Sequence, residues 1–305
     1  MANNRVLSIQ SHVVHGYVGN KCATFPLQVL GFDVDVINSV QLSNHTGYKH
    51  IRGQRMNDTE LQEIFDGIVN NDLHGKYSHL LTGYIGTPEF LRKIVGVVKT
   101  LKEANNNLTF FCDPVMGDNG KFYVPEVFVE IYRDELIPLA DVVSPNQFEA
   151  ELLSGKKIHN EADAWAVLDW FHAQGVKTAV ISSTTIGAPD NLTAFLSELP
   201  KGGGGTTKPK RSTLIMPKIG KVNFTGTGDL FAALFLAHTT MKPTASEALE
   251  CTVASLQSVI RNTARHLPSK PNPEVNIPSV DRELRIIQSK KDIEEPNVTI
   301  KATIH

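Results

Sequence analysis

Near the carboxyl end of the chain, Thr225-Gly226-Thr227-Gly228-Asp229 runs directly into the apolar stretch Leu230-Phe231-Ala232-Ala233-Leu234-Phe235-Leu236. A glycine-rich turn that opens a helix leaves backbone N–H groups free to meet an anion, and small residues let a phosphate approach them closely. Asp229, in the first turn, puts a carboxylate beside that anion. Donors for the charge and a base for the proton are what transfer of a phosphoryl group to a hydroxyl requires. Asp is also a favoured residue at a helix start, so the segment alone is equally compatible with plain capping. It is neither of the two common nucleotide patterns. Phe231 stands where a dinucleotide fingerprint has its third glycine, and no Gly-Lys pair in the chain is followed by Ser or Thr.

The elements that must position this centre alternate along the chain. Apolar runs at 5–9, 33–37, 77–81, 108–112, 141–143 and 177–181 read as strands, and amphipathic stretches near 58–71, 87–104, 145–153 and 160–174 read as helices. That alternation predicts an α/β fold, with a mostly parallel sheet covered on both faces. No linker composition and no internal repeat divides the chain, so residues 1–305 read as a single domain. Gly202–Arg211 reads as a long hairpin loop between strands at 192–199 and 212–217.

Ligands of open α/β sheets bind beyond the carboxyl ends of the strands, and there this sequence is polar. The first strand is followed by Ser11-His12-Val13-Val14-His15-Gly16-Tyr17-Val18-Gly19-Asn20, a floor suited to a small polar ring or an ordinary turn. His12 and His15 lack further ligands at metal spacing, which argues against a zinc-type site. Residues 38–48, with Asn44-His45-Thr46-Gly47-Tyr48, read as a long loop of amide, hydroxyl and imidazole groups, suited to a neutral hydroxylated substrate. Thr82-Gly83-Tyr84 offers a ring beside a glycine. Asp113-Pro114-Val115-Met116-Gly117-Asp118 brackets a turn with two carboxylates, hard oxygen ligands that suit Mg²⁺ with phosphate; Asn119-Gly120-Lys121 would extend it into a flap. In Ser144-Pro145-Asn146-Gln147-Phe148-Glu149, Ser144 with Gln147 reads as a capping box, while Asn146 and Glu149 share one face of the first turn. Ser182-Ser183-Thr184-Thr185 adds a hydroxyl cluster, as apt for phosphates or a cation as for a solvated turn.

Bulk properties narrow the classes. The chain has 305 residues, 41% hydrophobic, enough for a large core. A net charge of −2 argues against nucleic acid or an anionic membrane as partner. Three scattered cysteines (Cys22, Cys112, Cys251) read as reduced thiols of a cytoplasmic protein. No apolar run approaches the ~18 residues of a membrane span.

Taken together, Ser8-Ile9-Gln10-Ser11-His12-Val13, Gly16–Asn20, Asn38–Gln41, Ser43-Asn44-His45-Thr46-Gly47-Tyr48, Leu81–Tyr84, Cys112–Val115, Pro145-Asn146-Gln147-Phe148-Glu149 through Gly155, and Gly226–Ala233 resemble, in order and over almost the whole chain, the ribokinase-like superfamily of small-molecule kinases. Gly-Thr-Gly-Asp carries the superfamily; Ser-Asn-His-Thr-Gly-Tyr and Pro-Asn-Gln-Phe-Glu carry its vitamin B6 branch, the pyridoxal kinase family. The resemblance implies a three-layer α/β/α fold and ATP-dependent phosphorylation of the 5′-hydroxymethyl group of pyridoxal, pyridoxine and pyridoxamine. It implies Asp229 as base and Gly226, Thr227 and Gly228 as anion hole. Ser11, Val18, His45, Thr46 and Tyr84, with Asp229, match the vitamer site. Asp113, Asp118, Asn146, Gln147, Phe148, Glu149, Ser182, Ser183, Val222 and Thr227 match nucleotide contacts. Asp118 and Glu149 match Mg²⁺ ligands, and Asp113, Ser144 and Ser182 a monovalent cation site for K⁺ or Na⁺. A cytoplasmic homodimer is the family expectation. Ser144 and Ser182 stand where Thr is frequent in the family, and the segments after Asp118 and from Lys218 to Phe224 are shorter than in mammalian members. The same centre also suits a hydroxymethylpyrimidine or sugar kinase. A non-catalytic vitamer carrier is the reading of another class.

Overall fold

Strands covered on both faces must be apolar at successive positions, and this chain divides those positions between two cores. The structure, a computed structural model, describes residues 4–200, 208–220, 222–267 and 277–305. In chain order its elements are β1 (Arg5–Val13), α1 (Gly19–Val29), β2 (Asp33–Leu42), β3 (Gly53–Arg55), α2 (Asp58–Asn70), β4 (His79–Thr82), α3 (Pro88–Ala104), β5 (Thr109–Cys112), β6 (Gly117–Asp118), β7 (Lys121–Phe122), α4 (Val127–Ile131), β8 (Val142–Val143), α5 (Gln147–Ser154), α6 (Glu161–Ala173), β9 (Thr178–Thr184), β10 (Asn191–Glu198), β11 (Lys210–Pro217), α7 (Thr227–Met241), α8 (Ala245–Ala264), α9 (Lys290–Glu294) and β12 (Thr303–Ile304).

Ten strands form one sheet in the order β12-β11-β10-β9-β8-β5-β4-β1-β2-β3. The stretch from β9 to β2 is parallel throughout, and the strands added at either edge are antiparallel. Leu7, Ile9, Leu80, Phe110, Val143 and Ile181 point into the core shared with α2, α3, α5 and α6. Their neighbours Val6, Leu81, Phe111, Val142 and Val180 point into the opposite core, against α1, α7 and α8. This period-2 partition makes three layers. Helix α7 lies deepest: every residue from Leu230 to His238 is buried, as its unbroken apolar sequence requires.

The expected strands and helices are present, with several corrections. Strand β2 runs on to Leu42, so residues 38–42 belong to the sheet rather than to a loop. The physical reason is pairing: β1 continues alongside β2 as far as Val13, so Ser11 and His12 lie within a strand rather than after it. Strand β9 likewise includes Ser182 and Ser183. Helices α1, α4, α8 and α9 and strands β3, β6, β7 and β12 add to the elements the sequence predicts: Pro26 inside α1 and the mixed polarity of α8 obscure their periodicity, and the others are only two to five residues long. The 192–199 and 212–217 strands pair as β10 and β11; residues 201–207 of the expected hairpin loop lie outside the described residues.

One buried carboxylate, just ahead of β8, ties α3 and β5 to the residue that precedes β9. Asp141 accepts hydrogen bonds from Lys102 of α3 (2.9 Å), Lys177 (2.7 Å) and the Phe110 amide (3.0 Å). Burial opposes its ionisation, but these donors outweigh burial and hold its pKa below the usual carboxylate range. A depressed pKa contributes stability that is present above the unfolded value of about 4 and is lost as pH falls through the folded value. Asp141→Asn is therefore expected to cost about 2 kcal/mol at pH 7. In urea unfolding the gap from the parent protein should narrow as pH is lowered below about 4.

Candidate active site

Strand order reverses at β1, which has β2 on one side and β4 on the other. At such a switch point the chain leaves neighbouring strands in opposite directions and opens a crevice at their carboxyl ends. Its floor is tightly stitched. The β1–β2 register slips between Gln10 and His12, which places Ser11 at the irregularity. Asn20, 1% exposed, donates to the carbonyls of Gln10 (3.3 Å) and Ile37 (3.0 Å) and to the Asn38 side chain (2.8 Å), tying the start of α1 to both strands. Gly83 lets β4 close on β1: a Cβ there would lie 2.5 Å from Gln10 Oε1.

Two helix N-termini open onto this crevice without side-chain caps. Helices α2, α3, α5, α6 and α8 are capped by Asn57, Thr87, Asn146, Asn160 and Thr244. Helices α1 and α7 have Val18 and Gly226 at their cap positions, and neither residue caps with its side chain; the short α4 and α9 also lack side-chain caps. An uncapped terminus keeps its orphan amides for a ligand. The two helices pack against each other, and the Gly19 amide faces Asp229. Burial raises the pKa of Asp229 to about 6, against the opposing bond from Gly19. Glycine is required at two contacts here. Gly226 has φ +88° and a Cβ would meet the Tyr17 carbonyl at 2.2 Å; Gly19 has φ +54° and a Cβ would meet the Ser11 carbonyl at 2.0 Å.

A second group of carboxylates lines the side beyond β5 and β8. Asp113, 5% exposed, is pushed well above the usual range by burial and by the charges of Glu149 and Asp229. Ser144 donates to it at 3.4 Å. Glu149, also buried, is raised to about 7 by burial and the charge of Asp118, although the amides of Met116, Asn146 and Gly117 oppose this. Partial desolvation raises Asp118, which is more exposed. The Asn119-Gly120 pair, both at positive φ, turns β6 back onto β7 and carries Asp118 at the hairpin edge.

The α5 capping box is Asn146 with Glu149, not Ser144 with Gln147. Pro145 confines Ser144 to extended backbone, so the helix starts two residues later. Glu149 spends both oxygens on backbone amides: Met116 (2.9 Å) and Gly117 (3.4 Å) on one, Asn146 (3.0 Å) on the other. Asn146 Nδ2 donates to the Gly117 carbonyl at 2.8 Å. Gln147 bonds Ile158 and Thr185, and Phe148 packs edge-on to Phe122 beneath the hairpin. Ser182 donates to the Pro145 carbonyl at 3.4 Å; Ser183 is half-buried beside it, and Val222 half-buried ahead of α7.

On the opposite side, the β2–β3 loop carries His45, buried, and Thr46, exposed; Tyr84 follows β4, half-buried, and Val18 is 9% exposed. Asn20, Gln10 and Glu283 escaped the sequence reading. Asn20 and Gln10 lie inside stretches already singled out, but Glu283, more than 230 residues from His45, had no sequence signal.

The glycines of this site separate structure from chemistry. Gly226→Ala is expected to cost about 2–4 kcal/mol through strain and overpacking. A Cβ on Gly228 meets nothing within 4 Å, so Gly228→Ala should keep stability within about 0.5 kcal/mol. Loss of turnover by a stably folded Gly228→Ala protein, checked by urea unfolding, would then report ligand approach.

Comparison with known proteins agrees with this geometry. The phosphomethylpyrimidine kinase family model matches residues 27–270. Pyridoxal kinase of Ovis aries is 46% identical over 308 residues, covering 98% of both chains, and that of Homo sapiens is 45% identical with the same coverage. The solved structure of pyridoxal kinase from Leishmania donovani in complex with ADP and pyridoxamine superposes with a TM-score of 0.90 at 40% identity, covering 99% of each chain. With a ribokinase-like sheet, a Gly-Thr-Gly-Asp helix start at its switch point and relatives matched from end to end, the chain belongs to the pyridoxal kinase family.

Proposed function

We propose that the chain transfers the γ-phosphoryl group of ATP to the 5′-hydroxymethyl group of pyridoxal, and also of pyridoxine and pyridoxamine, as a step of vitamin B6 salvage. The observation that carries this reading is the ionisable Asp229 at the uncapped start of α7. The names of the relatives, and the ADP and pyridoxamine bound by the Leishmania protein, support it.

In the proposed mechanism the vitamer lies among Ser11, Val18, His45, Thr46 and Tyr84, with its hydroxymethyl group at Asp229. The nucleotide lies along Asp113, Asp118, Asn146–Glu149, Ser182–Ser183 and Val222. Phosphoryl transfer passes through a loose transition state, so positioning and charge neutralisation dominate. The free amides at Gly226–Gly228 meet the equatorial oxygens. An alcohol is too weak an acid to ionise beforehand, so Asp229 accepts its proton as the new O–P bond forms.

Among the described residues no three His, Cys, Asp or Glu side chains form a ready metal cage. A donor set of one or two carboxylates fits Mg²⁺ that arrives with phosphates and keeps its waters. Asp118, whose side chain bonds only its neighbour Asn119 among the described residues, is the freer ligand, and Glu149 stands behind it. Mg²⁺ there would neutralise charge on the ATP phosphates. Asp113, Ser144 and Ser182 would supply oxygens for K⁺ or Na⁺. We further read residues 1–305 as one kinase domain acting as a cytoplasmic homodimer. The free, buried Cys22, Cys112 and Cys251 are consistent with a reducing compartment.

The test is release of ADP with formation of pyridoxal 5′-phosphate from pyridoxal, Mg-ATP and K⁺. Vitamer binding without ADP would sink the kinase reading. Asp229→Asn should keep the fold and lose ~10²–10⁴-fold in kcat. Because the base acts when unprotonated, the parent's kcat/KM should fall as pH drops through about 6.

A further inference from the structure

Glu283 reaches the vitamer loop from the far end of the chain. Its carboxylate accepts from the Tyr17 amide (2.9 Å) and the Tyr48 hydroxyl (2.9 Å), and lies 3.3 Å from His45 Nε2. The side chains of His45 and Glu283 are only 5% and 9% exposed. The segment that carries it is anchored: Leu284 and Ile286 are buried in the core around α7, and the Arg285 amide donates to Thr263. Gly16, at φ +90°, makes room for the carboxylate, since a Cβ there would lie 2.2 Å from its Oε1.

The hydrogen bonds also assign the tautomer of His45. The Gly47 amide donates to His45 Nδ1 at 3.0 Å, so Nδ1 carries the lone pair and the proton of the neutral ring is on Nε2, facing Glu283. Both ring nitrogens are engaged within the protein, so His45 would line the vitamer site with its ring carbons rather than through a nitrogen. Thr46 sits between two tethered residues, because Gly47 is also held through its carbonyl by Ser279 at 2.8 Å.

We propose that Glu283 is a positioning residue: it clamps the His45–Tyr48 loop to the Tyr17 turn, fixes the Nε2–H tautomer of His45, and thereby sets the orientation of Thr46 toward the vitamer. This rests on the assignment of the vitamer site made above. Three segments distant in sequence meet at one carboxylate, and its contacts, the Tyr17 amide, the Tyr48 hydroxyl and His45, include no residue assigned to the nucleotide.

The test compares Glu283→Gln, Tyr48→Phe and Thr46→Ala with the parent. Glu283→Gln should raise KM for pyridoxal roughly tenfold, since charge-assisted bonds become neutral ones, with KM for ATP within about twofold. Tyr48→Phe, which removes one of the three contacts, should raise it by less. In ¹⁵N NMR the parent should show the Nε2–H tautomer of His45, and Glu283→Gln should show tautomer mixing. An unchanged vitamer KM in Glu283→Gln, while Thr46→Ala raises it, would overturn the positioning role and leave the site assignment standing. No effect of Thr46→Ala would overturn both. Equal rises in both KM values would mean a general structural role and reject the proposal. Should Glu283→Gln fail to fold, an Nδ1–H tautomer in the parent or an unaltered vitamer KM in Tyr48→Phe would be decisive against it.

Discussion

The contact between the starts of α1 and α7 is the constraint on which the site depends. Each helix exposes orphan amides there, and glycines allow the approach: Gly226 packs on the Tyr17 carbonyl just ahead of α1, while Gly19 seats α1 on the Ser11 carbonyl of β1. A helix N-terminus carries partial positive charge, so two of them side by side would repel without a counter-charge. Asp229 lies between them, with the Gly19 amide directed at it. The rest of the sheet holds this arrangement in place. Asn20 fixes α1 on the ends of β1 and β2, and the burial of α7 from Leu230 to His238 fixes the other partner.

Desolvation decides the electrostatics of the site. Even facing helix amides, Asp229 is raised to about 6, and Glu149 to about 7 despite three backbone donors. Burial therefore outweighs helix-end stabilisation, which reaches only ~2 kcal/mol in favourable geometries. Asp141 is the opposite case: Lys102 and Lys177 meet it, and its pKa falls. The two kinds of carboxylate pull stability in opposite directions with pH. Asp141 stabilises the fold when ionised, whereas Asp113, Glu149 and Asp229 weaken it when ionised. Among the described residues no cation meets these three carboxylates as Lys102 and Lys177 meet Asp141, and although Glu149 caps α5, their crowding costs stability; it is expected where function helps set the residues.

Much of this was legible in the chain itself. The parallel core of the sheet, the helices α2, α3, α5, α6 and α7, and the polar segments at the strand ends follow from periodicity and turn chemistry. Boundaries were less legible. Asn38–Leu42 reads as polar loop but extends β2, because strand pairing with β1 satisfies its backbone whatever its side chains. Ser144 and Asn146 are both good caps, and Pro145 between them left the choice to the local backbone. Helix α1 was hidden by Pro26.

By itself the sequence determined the fold class, the glycine-rich helix start with its carboxylate, and the family to which the chain belongs, because local propensity and motif spacing are written in consecutive residues. Tertiary structure alone decided which helix ends remain uncapped, which carboxylates are crowded and which are paired, and that Glu283 joins Tyr17, His45 and Tyr48. These depend on burial and on hydrogen-bond geometry between residues brought together by folding, and neither quantity exists along an extended chain.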